Sequence, residues 1–138
     1  SRLYWFRNGG AEEIYLGSLH PTREPTYVTD SAAGSIALAE CDEAGGRDVN
    51  LGVGEEISVG DLAHGLMEIV GREVPIISKD ERLRPDKSEV ERLLSDNTLA
   101  RKLSGWEPDV SLHEGLMRTA TWFADERNRS GYKLGYTI

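Results

Sequence analysis

Residues 31–44, SAAGSIALAECDEA, read as a helix with very little side-chain bulk, since Ala32, Ala33, Gly34, Ala37 and Ala39 carry a methyl group or less. Small side chains let a helix lie close against a sheet, so the expectation is a mixed α/β unit. Asp30 stands just ahead of the stretch and reads as its N-cap, because a carboxylate there accepts an otherwise unpaired helical N–H. Short strand-like pieces lie on both sides. EEIYLG alternates over 12–17, TYV is extended over 26–28, RDVNLG follows a Gly45-Gly46 turn over 47–52, and VPIIS occupies 74–78.

Helical periodicity fills much of the rest. Leu3, Tyr4, Trp5 and Phe6 form the apolar end of a helix stopped by Gly9-Gly10. Ser58 opens a helix through Val70 with Val59, Leu62, Leu66, Ile69 and Val70 on one face. ERLRPDKSE is a charged loop pinned by Pro85, and Val90–Leu94 is a short strand or turn. Asp96 then caps a helix through Leu103. Ser111 and Glu114 have capping-box spacing ahead of a last helix that turns Leu112, Leu116, Thr119, Trp122 and Phe123 inward. With no repeat, low-complexity tract or linker, residues 1–138 read as a single unit.

Composition narrows the function. A net charge of −8 over 138 residues repels polyanions, which excludes nucleic acid and anionic membrane surfaces as partners. It leaves room for a small phosphorylated ligand held by one or two local arginines. Mean hydropathy is −0.45, and no apolar run is long enough to span a bilayer. Cys41 is the only cysteine, so no internal disulfide forms and a reducing cytoplasmic setting fits. The chain opens without Met, in what reads as the middle of a helix, which leads us to expect a fragment.

Absences decide the chemistry. No Gly-x-x-Gly-x-x-Gly follows a strand, and GVGEE is too poor in glycine and too acidic to cradle a dinucleotide. Tyr-x-x-x-Lys does not occur, so no catalytic residue is assigned. His20, His64 and His113 are scattered, without Cys or carboxylate neighbours at ligand spacing, so no metal site is expected. His113 reads as solvent-facing, and Cys41 reads as a small hydrophobe rather than a nucleophile. What remains is a set of polar groups on turns: Arg23 between Pro21 and Pro25, Asn50 before Gly52 and Gly54, and Arg84 before Pro85. Guanidinium groups bind phosphate bidentately, and Asn adds a neutral donor. Taken one at a time, each also reads as an ordinary surface or turn residue.

The order of the pieces carries more. LGSLHPTREPTYVTDSAAGSIALA, VNLGVGEEISVGDLA and RLRPDKSEVERLLSDNTLARKLSGWEPDVSLHEGLMRTATWF follow one another between about Ile14 and Phe123. In this order they resemble the C-terminal part of an extended short-chain dehydrogenase/reductase, of the NAD-dependent nucleotide-sugar epimerase and 4,6-dehydratase family. The last stretch is the strongest, and it looks most like the branch acting on UDP-N-acetylhexosamine-type sugars. The resemblance implies an α/β fold of the NAD(P)-binding Rossmann-like superfamily that lacks its dinucleotide-binding half. NAD and the Ser/Thr, Tyr and Lys of catalysis would belong to that other half, leaving no cofactor in this chain. By the same resemblance Arg23 would address the substrate diphosphate, and Asn50 and Arg84 the nucleotide or its phosphates. One departure stands out: the family's Asp-aromatic after the first arginine is Glu24-Pro25 here, which changes the turn.

Two functions follow. The chain is the nucleotide-sugar-binding, substrate-side portion of such an enzyme, not catalytic alone. Alternatively it is a truncated stand-alone module that binds a ligand or self-associates. Either way, Ala33, Ile36, Ala37 and Val49 are expected to form an apolar patch. That patch would favour a homo-oligomer, or docking to the missing Rossmann half.

Overall fold

The computed structural model describes residues 12–78 and 90–129. The helix expected over Leu3–Phe6, the charged loop and Arg84 lie outside the described residues. Contacts within the chain gather into two compact units. One comprises Ser1–Leu19, Gly60–Glu89 and Leu116–Ile138, and the other comprises His20–Val59 and Val90–Gly115.

The first unit is organised on a parallel pair, β1 (Ile14–Leu16) and β4 (Ile76–Ser78), in the register Ile14↔Ile76, Tyr15↔Ile77 and Leu16↔Ser78. Both strands are short apolar runs rich in β-branched residues, which suit a pleated surface. Ile14 N–H extends the pairing to Pro75 O at 2.9 Å. Helix α2 (Val59–Val70) follows the two-residue strand β3 (Ile57–Ser58) directly and buries Met67, a residue the sequence-based face did not include. Gly71 ends it at φ +73°, a left-handed conformation that a side chain would disfavour. Helix α4 (Leu112–Ala124) takes part from Leu116 onward, and α5 (Glu126–Arg129) follows it. Trp122 is largely exposed rather than inward, while Leu112, Leu116, Thr119 and Phe123 are partly covered.

In the second unit β2 (Thr22–Arg23) pairs antiparallel with β3, Thr22↔Ser58 and Arg23↔Ile57. On its other side Thr22 forms an isolated parallel bridge with Arg92. Helix α1 spans Val28–Ala39, a 3-10 turn covers Asp42–Ala44, and helix α3 spans Thr98–Ser104, closed by Gly105 at φ +67°. Ala100, Trp106, Val110 and Pro21 are buried here.

Three local expectations are corrected. Helix α1 begins at Val28 with Tyr27 at its N-cap, so Asp30 falls inside the first turn and is buried rather than capping. Its carboxylate instead accepts the N–H groups of Asp109 and Val110 at 3.2 and 3.0 Å, contacts 79 and 80 positions along the chain. Second, among the described residues the contacts of α1 are with α3 and the 3-10 turn. A Cβ on Gly34 would sit 2.7 Å from Leu51 Cδ2 and 3.0 Å from Trp106 Cε2, so the helix has no room for a side chain at that position. Third, 47–52 forms no strand. A lone extended segment gains ladder hydrogen bonds only beside a partner strand, and among the described residues none lies alongside.

Candidate functional site

The turn that follows β2 is a knot of polar contacts within the second unit. Thr22 N–H donates to Glu91 O at 2.8 Å, and Leu93 N–H donates to Thr22 O at 3.2 Å, which lays Val90–Leu93 beside β2. Thr22 Oγ1 donates to Glu56 Oε2 at 2.7 Å, and Arg92 Nε reaches both oxygens of Glu56 at 2.8 Å. His20 Nε2 lies 3.2 Å from Glu91 Oε2. The Arg92 guanidinium holds the Glu56 carboxyl below its ordinary range, helped by the Thr22 hydroxyl, and Arg92 is raised in turn.

Arg23 sits at the centre. Its Nη1 donates to Thr22 O at 2.7 Å and to Val90 O at 2.8 Å, so the guanidinium is held against the Val90 segment by backbone carbonyls. Glu24, the departure noted in the sequence, is the most heavily bonded group nearby. Gly54 N–H donates to its Oε1 and Ser95 N–H to its Oε2 at 2.7 Å. Burial pushes the Glu24 carboxyl up, but the Ser95 side chain and the N–H groups of Gly54, Ser95 and Val53 outweigh it and hold the group below the usual glutamate range. Asn97 Nδ2 closes the arrangement by donating to Gly52 O at 2.6 Å. Asn50 is exposed, two residues before that glycine. Arg84 is outside the described residues.

Asn97 and the role of Glu24 were missed from sequence. Asn97 read as part of a helix start, and Asp96 does accept Thr98 N–H at 2.9 Å there. The Ser111 expectation holds: its Oγ accepts Glu114 N–H at 3.3 Å. His113 is exposed, as read. Cys41 is partly covered, its Sγ 3.3 Å from Leu103 O.

A cleft of about 330 Å³ in the same unit is lined by Pro25, Val53, Glu55, Glu56 and residues 108–112. Glu55, Glu56 and Asp109 give it a negative lining and Arg23 does not reach it, so it suits an anion poorly. Among the described residues no group of three or more His, Cys, Asp or Glu is placed to hold a metal ion, and no helix is long and apolar enough to cross a membrane.

These short strands, helices and turns are those of an extended short-chain dehydrogenase/reductase, the class of NAD-dependent nucleotide-sugar epimerases and dehydratases. The chain belongs to the GDP-mannose 4,6 dehydratase family, whose profile matches residues 5–119. It is 36% identical over 101 residues to a UDP-glucuronate 4-epimerase from Thermodesulfobacterium geofontis, covering 72% of this chain and 29% of that protein. It superimposes on an epimerase from Methanothermobacter thermautotrophicus with a TM-score of 0.79 at 34% identity, covering 94% of this chain and 38% of the other. The UDP-glucuronic acid 4-epimerase of Bacillus cereus, solved with UDP-glucuronic acid and NAD, gives 0.72 at 25% identity, covering 87% and 37%. The chain thus spans about a third of the length of these relatives.

NAD is bound in the Bacillus cereus relative, and one strand-to-helix junction of this chain can be set against what a dinucleotide requires. A dinucleotide pyrophosphate needs a glycine turn between a strand and a helix N-terminus. Where β3 runs into α2 there is no such turn, and Asp61 occupies the first helical turn, where it would repel a phosphate.

Proposed function

We propose that this chain is the substrate-side portion of an NAD-dependent nucleotide-sugar epimerase or 4,6-dehydratase. It addresses the diphosphate of a sugar nucleotide, of the UDP-N-acetylhexosamine kind, through Arg23, Asn50 and Arg84. The observation that carries the reading is the setting of Arg23. In a chain of this family, its guanidinium is held by two backbone carbonyls, those of Thr22 and Val90. A fixed cation loses little freedom when it meets a phosphate, which favours binding. On this reading NAD and the acid–base residues of catalysis are supplied by the remainder of the protein, and the setting is cytoplasmic.

Titrating the 138-residue chain with UDP-N-acetylglucosamine and with NAD tests this. The sugar nucleotide binds, NAD does not, and neither NADH absorbance nor a 4-keto-6-deoxy product develops. Arg23→Ala and Arg84→Ala each weaken binding by roughly 1.5–3 kcal/mol, the range of hydrogen bonds to charged groups. Arg47→Ala, outside the motifs, leaves it unchanged. Equal affinities for all three variants remove the assigned roles, and a product formed by the purified chain removes the division of labour.

The second reading, a self-associating module, is supported by the outward face of α1. Val28 is 69% and Ile36 60% exposed, Ala33 is exposed, and Ala37 and Val49 are partly covered. Sedimentation of the chain and its Ile36→Glu variant decides it. A monomeric wild type at micromolar concentration ends this reading.

A further inference from the structure

Three consecutive side chains at the end of β2 together tie down two segments, 54–56 and 90–95. Thr22 reaches Glu56, Arg23 reaches Val90, and Glu24 reaches both Gly54 and Ser95, 30 and 71 positions away. Gly52 is buried against this carboxylate: a Cβ there would lie 2.7 Å from Glu24 Cδ. The same Cβ would lie closer still to Ser95 Oγ, so the position has room only for glycine between Ser95 and Glu24. Electrostatics makes the placement informative. A carboxylate one residue along the chain from a guanidinium that receives an anion adds negative charge to the neighbourhood, so its charge works against binding. Its geometry works the other way. By gripping Ser95, Glu24 anchors the end of the same segment whose Val90 carbonyl holds Arg23.

We propose that Glu24 is the positioning residue of the Arg23 site. Its carboxylate bridges the amides of Gly54 and Ser95 and so fixes the surface on which the guanidinium is oriented toward a diphosphate. The inference rests on the diphosphate reading of Arg23 and assigns to Glu24 a role separate from ligand contact.

The test uses UDP as the probe, calorimetry for affinity, and NMR for amide exchange at Gly54 and Ser95 and for the Arg23 Nε–H signal. Glu24→Gln binds UDP roughly tenfold more weakly, the scale of one lost charged hydrogen bond. Both amides exchange faster and the Arg23 signal moves. Glu24→Asp, which keeps the charge on a shorter arm, falls between. Glu55→Gln removes the same charge from an exposed neighbour in the loop and leaves UDP binding equal or tighter. A Glu24→Gln variant that binds UDP as well as wild type, or better, overturns the proposal, because charge removal alone predicts that result. Unchanged exchange at both amides overturns it as well. Wild type without affinity for UDP defeats the diphosphate reading instead. The Arg23 signal then decides the positioning role alone: moved in Glu24→Gln, it supports the role, and unmoved, it refutes it. Should Glu24→Gln not fold, Glu24→Asp is judged by the same readouts.

Discussion

Two regions of the second unit are held by different physics. Around Gly34, helix α1 meets Leu51 and Trp106, with Ala100 buried on α3, and apolar contact sets the geometry. Around Thr22–Glu24, next to the buried Pro21, polar and charged groups clamp β2 to two other segments through hydrogen bonds. Volume is the governing variable around Gly34 and charge around Thr22–Glu24, although Gly52 leaves no room for a Cβ in the second region either. A binding site benefits from the second kind of construction, because it leaves polar groups accessible at the surface while restricting their motion.

The largest expected effect belongs to the packed region. Gly34→Val places branched carbons where a single Cβ already meets Leu51 and the rigid indole, and destabilises the chain by about 3 kcal/mol. Urea unfolding checks it. A loss no greater than that of an exposed substitution would mean the helix shifts freely and the region is not packed as described. Asp30→Ala comes next, since it strips the acceptor from two buried-side amides and costs about 2 kcal/mol. Faster amide exchange at Val110 is the confirming observation.

In the polar region the informative variable is pH. The Glu24 carboxyl is held below its unfolded value, so its stabilisation is fully present above the ordinary glutamate pKa of about 4.3 and is lost as pH falls through the lower folded value. Melting temperature followed across that acid range falls less steeply in Glu24→Gln than in wild type. Part of the slope persists, because Glu56 and Asp96 are also lowered, by Arg92 and by Thr98 respectively. Parallel acid limbs in the two proteins would break the comparison. The smallest effect is Arg92→Ala. Its pair with Glu56 is exposed, so the change in melting temperature is slight at low salt and disappears at 1 M salt.

What could be read from the sequence was local. The start of α2 and the Ser111 cap depend on neighbours within four residues, and they, like the β1 and β4 runs, lie where the pattern put them. Asp30 failed because two explanations compete for a carboxylate near a helix start. Capping needs only the next turn, whereas its real partners at 109 and 110 leave no trace in spacing. The 47–52 segment failed because strand propensity describes a side chain's fit to a pleated surface, and a strand exists only where a second one pairs with it. Of the candidate site, Arg23 was singled out from its prolines and from the family resemblance, and its role is a proposal. The contribution of Glu24 was not, since it shows only once Gly54 and Ser95 are brought to it.

The indole laid on Gly34 also makes the molecule its own optical gauge. Trp106 is 7% exposed and Trp122 45%. An excited indole in an apolar surrounding emits at shorter wavelength than one in water. The difference spectrum between wild type and Trp106→Phe therefore isolates a blue-shifted component that reports on the contact between α1 and its neighbours. Its red shift on titration with denaturant follows the loosening of that contact without any attached dye.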